Sequence, residues 1–474
     1  MSEAQLVRID STTWEIPATA RADMRVPARF FADEEILAAI RGDRSLEQLQ
    51  NVATLPGVVG AAVAMPDIHQ GYGFPVGGVA ATELPDGVVS PGGVGYDINC
   101  GVRLLALPLS ESELGERREG LVHSISREIP AGAGKHGVLH LGGGSLDAVL
   151  KDGPQALPGV RADDVAHTES EGRLDGADPA AVSERAHVRG RDQLGTMGSG
   201  NHFVELQMVQ EVMDAETARI FGLAPGQLTI LIHSGSRGLG HQVCTDYVRT
   251  MDARLASYRI HLPDRQLACA PASSPEGRQY LAAMAAAANF AWANRQAIAD
   301  GVRRAIASVL GPDVAEATVQ VYDVAHNVAK VEEHGGRWVC VHRKGATRAF
   351  PAGSPEIPAV YRGVGQPVFI PGSMGTASFV LAGEPGAMER SFGTTCHGAG
   401  RRLSRTAARK RIAGGELRRQ LQARGIVVRC PSPKGLAEEA TFAYKDVDRV
   451  VRVVEEAGLA RRVARLVPLG VVKG

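Results

Sequence analysis

A glycine-rich loop over residues 90–101 places a carboxylate and a thiol three residues apart, at Asp97 and Cys100. A reverse turn or one helical turn brings residues with this spacing to the same side of the chain. A hard oxygen and a soft sulfur together suit a transition-metal ion, and a thiolate is able to bridge two ions. The pair alone fits a buried free cysteine beside a turn aspartate equally well, so its interpretation depends on the rest of the chain.

Three histidines, His202, His233 and His326, lie at the ends of apolar, β-branched segments. One histidine in such a position is commonly a hydrogen-bonded structural residue. Three at equivalent strand ends, beside Asp97 and Cys100, indicate a metal centre instead. Five donors of these types exceed one tetrahedral ion and suit two ions that share the thiolate. Donor softness favours zinc, whereas the carboxylate and open positions leave manganese, cobalt and iron as alternatives.

His397 differs from these three, because it lies between Cys396 and a Gly-Ala-Gly turn that precedes a basic segment. Backbone N–H groups at such a turn, together with a helix N-terminus, are able to hold a phosphate. A neutral imidazole beside a bound phosphate and metal ions is a candidate nucleophile. A sixth metal ligand and a general acid are the alternatives for His397.

Alternating apolar and polar segments predict the elements that must position these residues. We expect Gly301 to interrupt or kink a long Ala-rich helix, and residues 343–348 to form a basic loop. The apolar run 466–472 predicts a docked strand that carries Lys473 into a cleft. Strands are expected at 58–65, 102–107, 203–208, 228–232, 319–324, 338–342 and 367–370, and helices at 33–41, 45–53, 110–128, 241–258, 275–310 and 447–465.

Composition favours a loop-rich α/β enzyme, with 474 residues, 44% hydrophobic content, 56 glycines and few aromatic residues. Fifty-two basic and fifty-two acidic side chains give no global signal for nucleic-acid binding, so any basic surface must be local. The candidate site residues extend from 97 to 473 without a linker or internal repeat. We therefore expect a single catalytic domain over 1–474, in which 132–191 forms a surface excursion.

The six cysteines are widely separated, with no paired short spacing. The first residues lack the basic and apolar segments of a secretory signal, and no run of about 18 apolar residues is present to span a bilayer. These features favour a reduced, cytoplasmic protein that does not interact with membranes.

Eight segments of the sequence, taken together, resemble the RtcB family of 3′-phosphate/5′-hydroxyl RNA-splicing ligases. They occur in the family's order and cover nearly the whole chain, so the match is far more specific than a lone glycine pattern. The resemblance implies an α/β (α+β) fold, as a single compact domain with a central metal and nucleotide cleft. The segments are 65–75, 92–101, 198–205, 232–240, 323–327, 371–376, 395–400 and 472–474.

The resemblance also implies two Mn(II) ions held by Asp97, Cys100, His202, His233 and His326, GTP as the energy source, and His397 as the guanylylation site. Which ligands serve which ion stays open. The residues implied to contact the guanine nucleotide are Asn201, His202, Phe203, Val204, Glu205, His326, Asn327, Pro371, Gly372, Ser373, Met374, Ser378, His397, Gly398, Ala399, Gly400 and Lys473.

The implied reaction joins an RNA 3′-phosphate or 2′,3′-cyclic phosphate to a 5′-hydroxyl, through a guanylylated histidine and an RNA(3′)pp(5′)G intermediate. It would serve tRNA splicing or RNA repair. Candidates to hold RNA phosphates are Arg237, Arg343, Lys344, Arg348 and the basic segment 401–411. Two rival functions are a binuclear metallohydrolase that cleaves phosphoesters without a nucleotide and a metal-stabilised RNA-binding protein without catalysis.

Overall fold

Nineteen strands and sixteen α-helices form within the described residues, which are 6–132, 137 and 142–474 of a computed structural model. The strands are β1 (Val7–Arg8), β2 (Thr13–Ile16), β3 (Ala28–Phe31), β4 (Val58–His69), β5 (Val76–Glu83), β6 (Val88–Val89), β7 (Gly101–Ser110), β8 (Phe203–Val212), β9 (Gln227–Ser234), β10 (Ala270–Pro271), β11 (Val319–Ala325), β12 (Asn327–His334), β13 (Arg337–Lys344), β14 (Ala346–Arg348), β15 (Pro367–Ile370), β16 (Ser378–Gly383), β17 (Thr394–Cys396), β18 (Val427–Arg429) and β19 (Ala460–Lys473).

The helices are distributed along the whole of the described chain. They are α1 (Glu34–Ile40), α2 (Ser45–Val52), α3 (Glu111–Leu114), α4 (Arg118–Glu128), α5 (Gly143–Asp152), α6 (Ala162–Ala166), α7 (Glu184–Gly190), α8 (Ala215–Ile220), α9 (Arg237–Arg254), α10 (Pro275–Leu310), α11 (Pro312–Glu316), α12 (Pro385–Ser391), α13 (Arg405–Arg411), α14 (Gly414–Ala423), α15 (Pro433–Glu438) and α16 (Val447–Glu456). Among these helices, none combines the length and the apolar composition needed to span a lipid bilayer.

Two large sheets carry most of the strands. One has the order β1-β2-β3-β4-β5-β13-β12, and the other has the order β11-β7-β9-β8-β19-β16-β15, with β18 paired to β19. Neighbouring strands in both sheets are antiparallel except for the β3–β4 and β18–β19 pairs. Two short sheets, β10–β6 and β14–β17, complete the strand pairing. The predicted mixed fold of helices and sheets is confirmed. It has the α+β form, because few of the strand pairs are parallel.

Helix α10 lies at the centre of the helical part of the molecule and is buried at every residue from 283 to 299. A helix that is buried on all sides is an element of the core, and its many alanines allow close approach of its neighbours. Ser274 caps its start by accepting a hydrogen bond from the Gly277 N–H. The predicted interruption at Gly301 is wrong, since the helix is continuous to Leu310. Gly301 packs beside Ile129, which follows α4.

Part of the segment 132–191, predicted as a surface excursion, lies outside the described residues. Its described part packs α5 against α10 and buries Leu146 and Leu150. Glu169 is also fully buried, and its carboxylate forms an ion pair with Lys330 at 2.5 Å. This part of the segment therefore contributes to the core as well as to the surface.

Two other predicted elements end differently in the structure. The last helix stops at Glu456 rather than near residue 465, because Gly458 adopts a positive φ of 68° and the chain then enters β19. The expected basic loop 343–348 is divided between β13 and β14. Arg343 is fully buried and its guanidinium pairs with Glu332 at 2.6 Å, so this arginine does not reach RNA.

We expect Gly301→Ala to stabilise the protein by about 0.5–1 kcal/mol, because alanine is the better helix former. A methyl group there would lie 3.4 Å from the Ile129 side chain, which is ordinary contact. Thermal and urea unfolding measure the change. The control is Gly277→Ala in the same helix, where the new Cβ would lie 2.2 Å from the Pro271 carbonyl oxygen and stability should fall. A loss of stability in Gly301→Ala would contradict this account of α10.

Candidate active site

Four adjacent strands bring the predicted metal donors to one edge of the second large sheet. Cys100 precedes β7 and His202 precedes β8, whereas His233 lies at the end of β9 and His326 follows β11. The strand order is β11-β7-β9-β8, and each neighbouring pair is antiparallel. The starts of β7 and β8 therefore lie beside the ends of β9 and β11. This arrangement brings together donors that are far apart in the sequence.

The donor atoms form two groups of three that share the Cys100 sulfur. One group is Cys100, His233 and His326, and the other is Asp97, Cys100 and His202, with the atoms of each group within 4.8 Å of one another. The Cys100 Sγ lies 3.3 Å from Nε2 of both His202 and His233. The two Nε2 atoms of His233 and His326 are also 3.3 Å apart. Donors around a common ion at bond lengths of about 2.0–2.3 Å have spacings close to these.

The protonation of these groups favours a bound cation. His202 Nδ1 lies 3.0 Å from the Met197 carbonyl oxygen, and its Nε2 lies 2.7 Å from the Asp97 Oδ2. A nitrogen and a carboxylate oxygen this close require either a shared proton or a bound metal ion between them. Although burial opposes ionisation, the His202 ring and Arg237 lower the pKa of Asp97 to about 2.

Burial has different effects on the other three donors. It lowers the pKa values of His233 and His326 well below the usual range, which keeps both imidazoles in the neutral form that binds metals. Burial, followed by the Asp97 carboxylate, raises the pKa of the Cys100 thiol well above its usual value. A thiolate at Cys100 therefore requires a compensating positive charge. His233 Nδ1 has no hydrogen-bond partner among the described residues.

Arg295 of α10 holds the backbone beneath this cluster. Its guanidinium forms hydrogen bonds of 2.7–3.0 Å to the Asp323 carboxylate, while further N–H groups donate to the carbonyl oxygens of Asn99 and Ser234. Asn99 precedes Cys100 and has a left-handed φ of 52°. Since Ser234 follows His233, one arginine fixes the chain beside two of the donors.

His397 follows β17 and lies beside the metal-donor cluster, with its ring centroid 4.9 Å from that of His326. Its Nδ1 is 2.6 Å from the Asp67 Oδ2, and its backbone N–H donates to the same oxygen at 3.0 Å. Burial would raise the pKa of Asp67, but the His397 contacts outweigh it and hold the pKa below its usual range. An ionised Asp67 accepts from Nδ1–H, which leaves the His397 Nε2 lone pair free to react.

The Gly398–Gly400 turn after His397 packs directly on β4. A Cβ at Gly400 would lie 2.2 Å from the Asp67 carbonyl oxygen, and Gly400 has a φ of 74°. Only glycine satisfies both conditions. The strand expected at 58–65 is longer than predicted, because β4 continues to His69 and carries Asp67 as a strand residue.

One cleft of about 260 Å³ contains both the metal-donor cluster and His397. Of the residues expected at the nucleotide, His202, Val204 and Ser378 do not line it. Val204 packs in the core, and the Ser378 hydroxyl accepts a hydrogen bond from the Gly372 N–H. The remaining expected residues that line the cleft are Asn201, Phe203, Glu205, His326, Asn327, Pro371, Gly372, Ser373, Met374, His397, Gly398, Ala399, Gly400 and Lys473.

Lys344, a sequence candidate for contact with RNA phosphates, lines the cleft, and burial lowers the pKa of this lysine to about 7. The cleft also contains two residues that the sequence did not single out. They are Glu439 and Tyr444, which both line the cleft and both accept a hydrogen bond from Arg401 Nη1. No spacing or strand-end position distinguishes them in the sequence. Asp67 lies within the segment 65–75, but only the structure shows its contact with His397.

Lys473 reaches the cleft because β19 lies inside the second sheet, next to β8. The register places Lys473 opposite Phe203 and Val471 opposite Glu205. The Lys473 side chain is buried, 3.9 Å from the Glu439 carboxylate and 5.5 Å from the centre of the Phe203 ring. The predicted docked strand over 466–472 is confirmed, and it begins earlier, at Ala460.

The fold and the cleft define a class of α+β protein in which a buried Asp/Cys/His cluster able to hold a metal ion faces a histidine–aspartate pair. Such a combination suits chemistry on phosphates, because cations offset the charge of an anion while a histidine reacts with it.

Comparison with known proteins agrees with this assignment. Residues 48–474 match the family model described as tRNA-splicing ligase RtcB. The tRNA-splicing ligase RtcB of Thermococcus kodakarensis is 52% identical over 99% of both chains, and that of Archaeoglobus fulgidus is 49% identical over 100% of this chain and 99% of its own. The RNA-splicing ligase RtcB of Mycobacterium tuberculosis is 52% identical over 90% of this chain and 100% of its own. The chain belongs to the RtcB family.

We expect Arg295→Lys to lower the affinity for Mn(II) or Zn(II) by about 10- to 100-fold, as is common when a group that supports metal ligands is changed. Lysine keeps the positive charge beside Asp323 but cannot also bond the Asn99 and Ser234 carbonyl oxygens. Metal titration by calorimetry, with thermal unfolding in parallel, measures the effect. The control is Arg304→Lys, an exposed arginine of the same helix that pairs with Glu128. Unchanged affinity in a folded Arg295→Lys protein would refute the supporting role.

Proposed function

We propose that this protein is a GTP- and Mn(II)-dependent RNA ligase that joins an RNA 3′-phosphate or 2′,3′-cyclic phosphate to a 5′-hydroxyl. Membership of the RtcB family and relatives named as tRNA-splicing ligases support the ligase assignment. The observation that carries the mechanism is the hydrogen bond of His397 Nδ1 to Asp67, which orients Nε2 toward the cleft that holds the metal-donor cluster.

In the proposed first step, His397 Nε2 attacks the α-phosphorus of GTP and pyrophosphate leaves. The product is GMP joined to the histidine through a phosphorus–nitrogen bond. Asp67 keeps Nδ1 protonated, orients the ring and stabilises the positive charge that develops on it. A histidine whose Nδ1 were unpaired would present either nitrogen, so the aspartate selects the reactive tautomer.

An RNA 3′-phosphate oxygen then attacks the phosphorus of the histidine-bound GMP, and the bond to Nε2 breaks. This gives the RNA(3′)pp(5′)G end. The 5′-hydroxyl of the second RNA end attacks the RNA 3′-phosphorus and GMP leaves. The proton of the hydroxyl passes to solvent or a nearby base. A 2′,3′-cyclic phosphate must first be opened by water.

The two donor groups that share Cys100 fit two ions, one held by Cys100, His233 and His326 and the other by Asp97, Cys100 and His202. When bound, manganese ions polarise phosphoryl oxygens and offset their negative charge. The choice of manganese over zinc rests on the family resemblance, since the donor types accommodate both.

A buried carboxylate and a buried ammonium group in the same cleft support guanine as the nucleobase of the nucleotide. Glu205 and Lys473 both line the cleft on neighbouring strands. Guanine carries two adjacent N–H donors and one carbonyl acceptor on its Watson–Crick edge, which match a carboxylate and an ammonium group. Burial raises the pKa of Glu205 to about 8, so a ligand that donates hydrogen bonds to the carboxylate favours its ionisation.

A binuclear metallohydrolase remains the alternative of a different class. A hydrolase would need the cluster of metal donors. It would not need the His397–Asp67 pair, the Glu205 carboxylate or the Lys473 ammonium group. Nucleotide dependence separates the two functions, because a hydrolase acts with metal alone. Labelling of purified protein by GTP carrying a radioactive α-phosphate, with Mn(II), tests the ligase mechanism directly.

We expect His397→Ala to bind metal and GTP but to form no covalent GMP adduct. The same variant should still seal RNA that already carries the activated 3′-guanylate end, because His397 acts before that point. Gel electrophoresis of labelled protein and of RNA products measures both. In the wild type the adduct should be labile to acid and stable to alkali, as a phosphoramidate is.

Three outcomes would contradict the role of His397. Labelling that persists in His397→Ala, or a lysine-linked adduct in the wild type, would place the nucleophile elsewhere. Failure of a metal-loaded variant to seal activated RNA would indicate that the histidine acts in a later step. The matched control is His187→Ala, a histidine on α7 that pairs with Asp147 away from the cleft.

We expect Glu205→Gln to remove most of the preference for GTP over inosine triphosphate, which lacks the guanine 2-amino group. In the wild type this preference should be about tenfold or more, because a buried carboxylate loses a charge-assisted hydrogen bond when the amino group is absent. Rates of adduct formation with each nucleotide measure it. Glu211→Gln, at an exposed position of the same strand, is the control. An unchanged preference for GTP over inosine triphosphate in Glu205→Gln would place the guanine elsewhere in the cleft.

A further inference from the structure

A second cavity, of about 280 Å³, adjoins the catalytic cleft. The two share Tyr96, which lines both and directly precedes the metal donor Asp97. The wall of the cavity is completed by Tyr72, by residues of α9 that include Thr245 and Arg249, and by Gln266. No step of the proposed reaction with GTP uses this cavity, which we name the side cavity.

Aromatic rings are concentrated between the side cavity and the cleft. The rings of Tyr72 and Tyr96 lie 5.2 Å apart in an edge-to-face arrangement, and the Tyr96 ring lies 4.9 Å from that of His241. Tyr72 and Tyr96 are half-buried and His241 is exposed, so parts of these rings face solvent. Aromatic residues make up only 5% of the chain, which makes a cluster of two tyrosines and a histidine at a cleft mouth informative.

Helix α9 extends this cluster away from the metal-donor cluster. His241, Thr245 and Arg249 are spaced four residues apart and therefore lie along one face of the helix, over about 12 Å. Arg249 is exposed and has no ion-pair or hydrogen-bond partner among the described residues. The neighbouring Arg265 is already paired with Asp252. The unpaired guanidinium of Arg249 thus lies at one end of this helix face, and the aromatic rings lie at the other end.

We propose that the side cavity binds an unpaired nucleobase of the RNA strand whose end lies in the catalytic cleft, with Arg249 on a phosphate further along the strand. The inference rests on the proposed function. Rings that stack on bases combined with a cation on the backbone are the usual means of holding single-stranded nucleic acid. Stacking here would keep the terminal nucleotide from rotating, which positions its reacting group beside Asp97 and His397.

The test uses the full-length protein loaded with Mn(II) and short fluorescent RNAs that end in a 5′-hydroxyl or a 3′-phosphate. Each strand is prepared intact and with an abasic nucleotide at the first, second or third position from the end. We expect anisotropy titrations of the wild type to show about tenfold weaker binding for one abasic position. The two sets of RNAs identify which strand occupies the side cavity.

Substitutions test whether the weaker binding of abasic RNA comes from lost stacking on the aromatic rings. Tyr72→Ala should bind intact RNA about as weakly as the wild type binds the abasic RNA, and should no longer distinguish the two. Tyr72→Phe and His241→Phe, which keep an aromatic ring, should retain the distinction. Trp338→Ala, an exposed aromatic residue on β13, is the control for loss of a ring. Arg249→Ala should weaken binding to all RNAs and reduce the slope of affinity against salt by about one, whereas the exposed Arg452→Ala should not.

Two results would overturn the proposal: equal binding of intact and abasic RNA at every position by the wild type, or full discrimination retained by a folded Tyr72→Ala protein. Thermal unfolding establishes that each variant is folded. Failure of the proposed function is separate, because it appears as absent GMP labelling and absent joining by the wild type, whatever the binding titrations show.

Discussion

The site depends on one buried group of charges, in which Asp323 lies between Arg295 and Arg103. All three side chains have no exposed surface, and the distances within the two ion pairs are 2.7 and 2.8 Å. Burial of such charges is unfavourable unless opposite charges are paired in good geometry, so the group tolerates very few arrangements. It joins α10 to β7 and β11. The strand ends that carry Cys100 and His326 are therefore fixed by a contact that has no chemical part in the site.

The cleft draws its reactive groups from separate parts of the fold. The second large sheet contributes the metal donors, the first contributes Asp67 through β4, and the short β14–β17 sheet delivers His397. Each of these groups is held by a strand or by the residue next to one. Such placement leaves little freedom to the side chains, which suits a site that must bring two anions together. Lys473 also comes from the second sheet, on its inner strand β19.

Part of this site was accessible from sequence and part was not. A glycine-rich loop predicted Asp97 and Cys100, and strand ends predicted His202, His233 and His326. The structure brings these five together. Arg295 and Asp67 lie in an ordinary helix and at a predicted strand–loop boundary, and only their three-dimensional contacts reveal them. Local patterns also misplaced residues 343–348, since a basic run next to glycine resembles a loop, although buried acidic partners hold Arg343 inside the protein.

The position of β19 has a consequence for synthesis of the chain. Its partners β8 and β16 are complete long before residues 460–473 emerge, and β8 then has an unpaired edge next to an apolar face. Exposed edges of this kind pair readily with other chains. A nascent protein of this family would thus pass through an interval in which aggregation competes with folding. Cells that need much of it would benefit from slow translation or a chaperone at that stage.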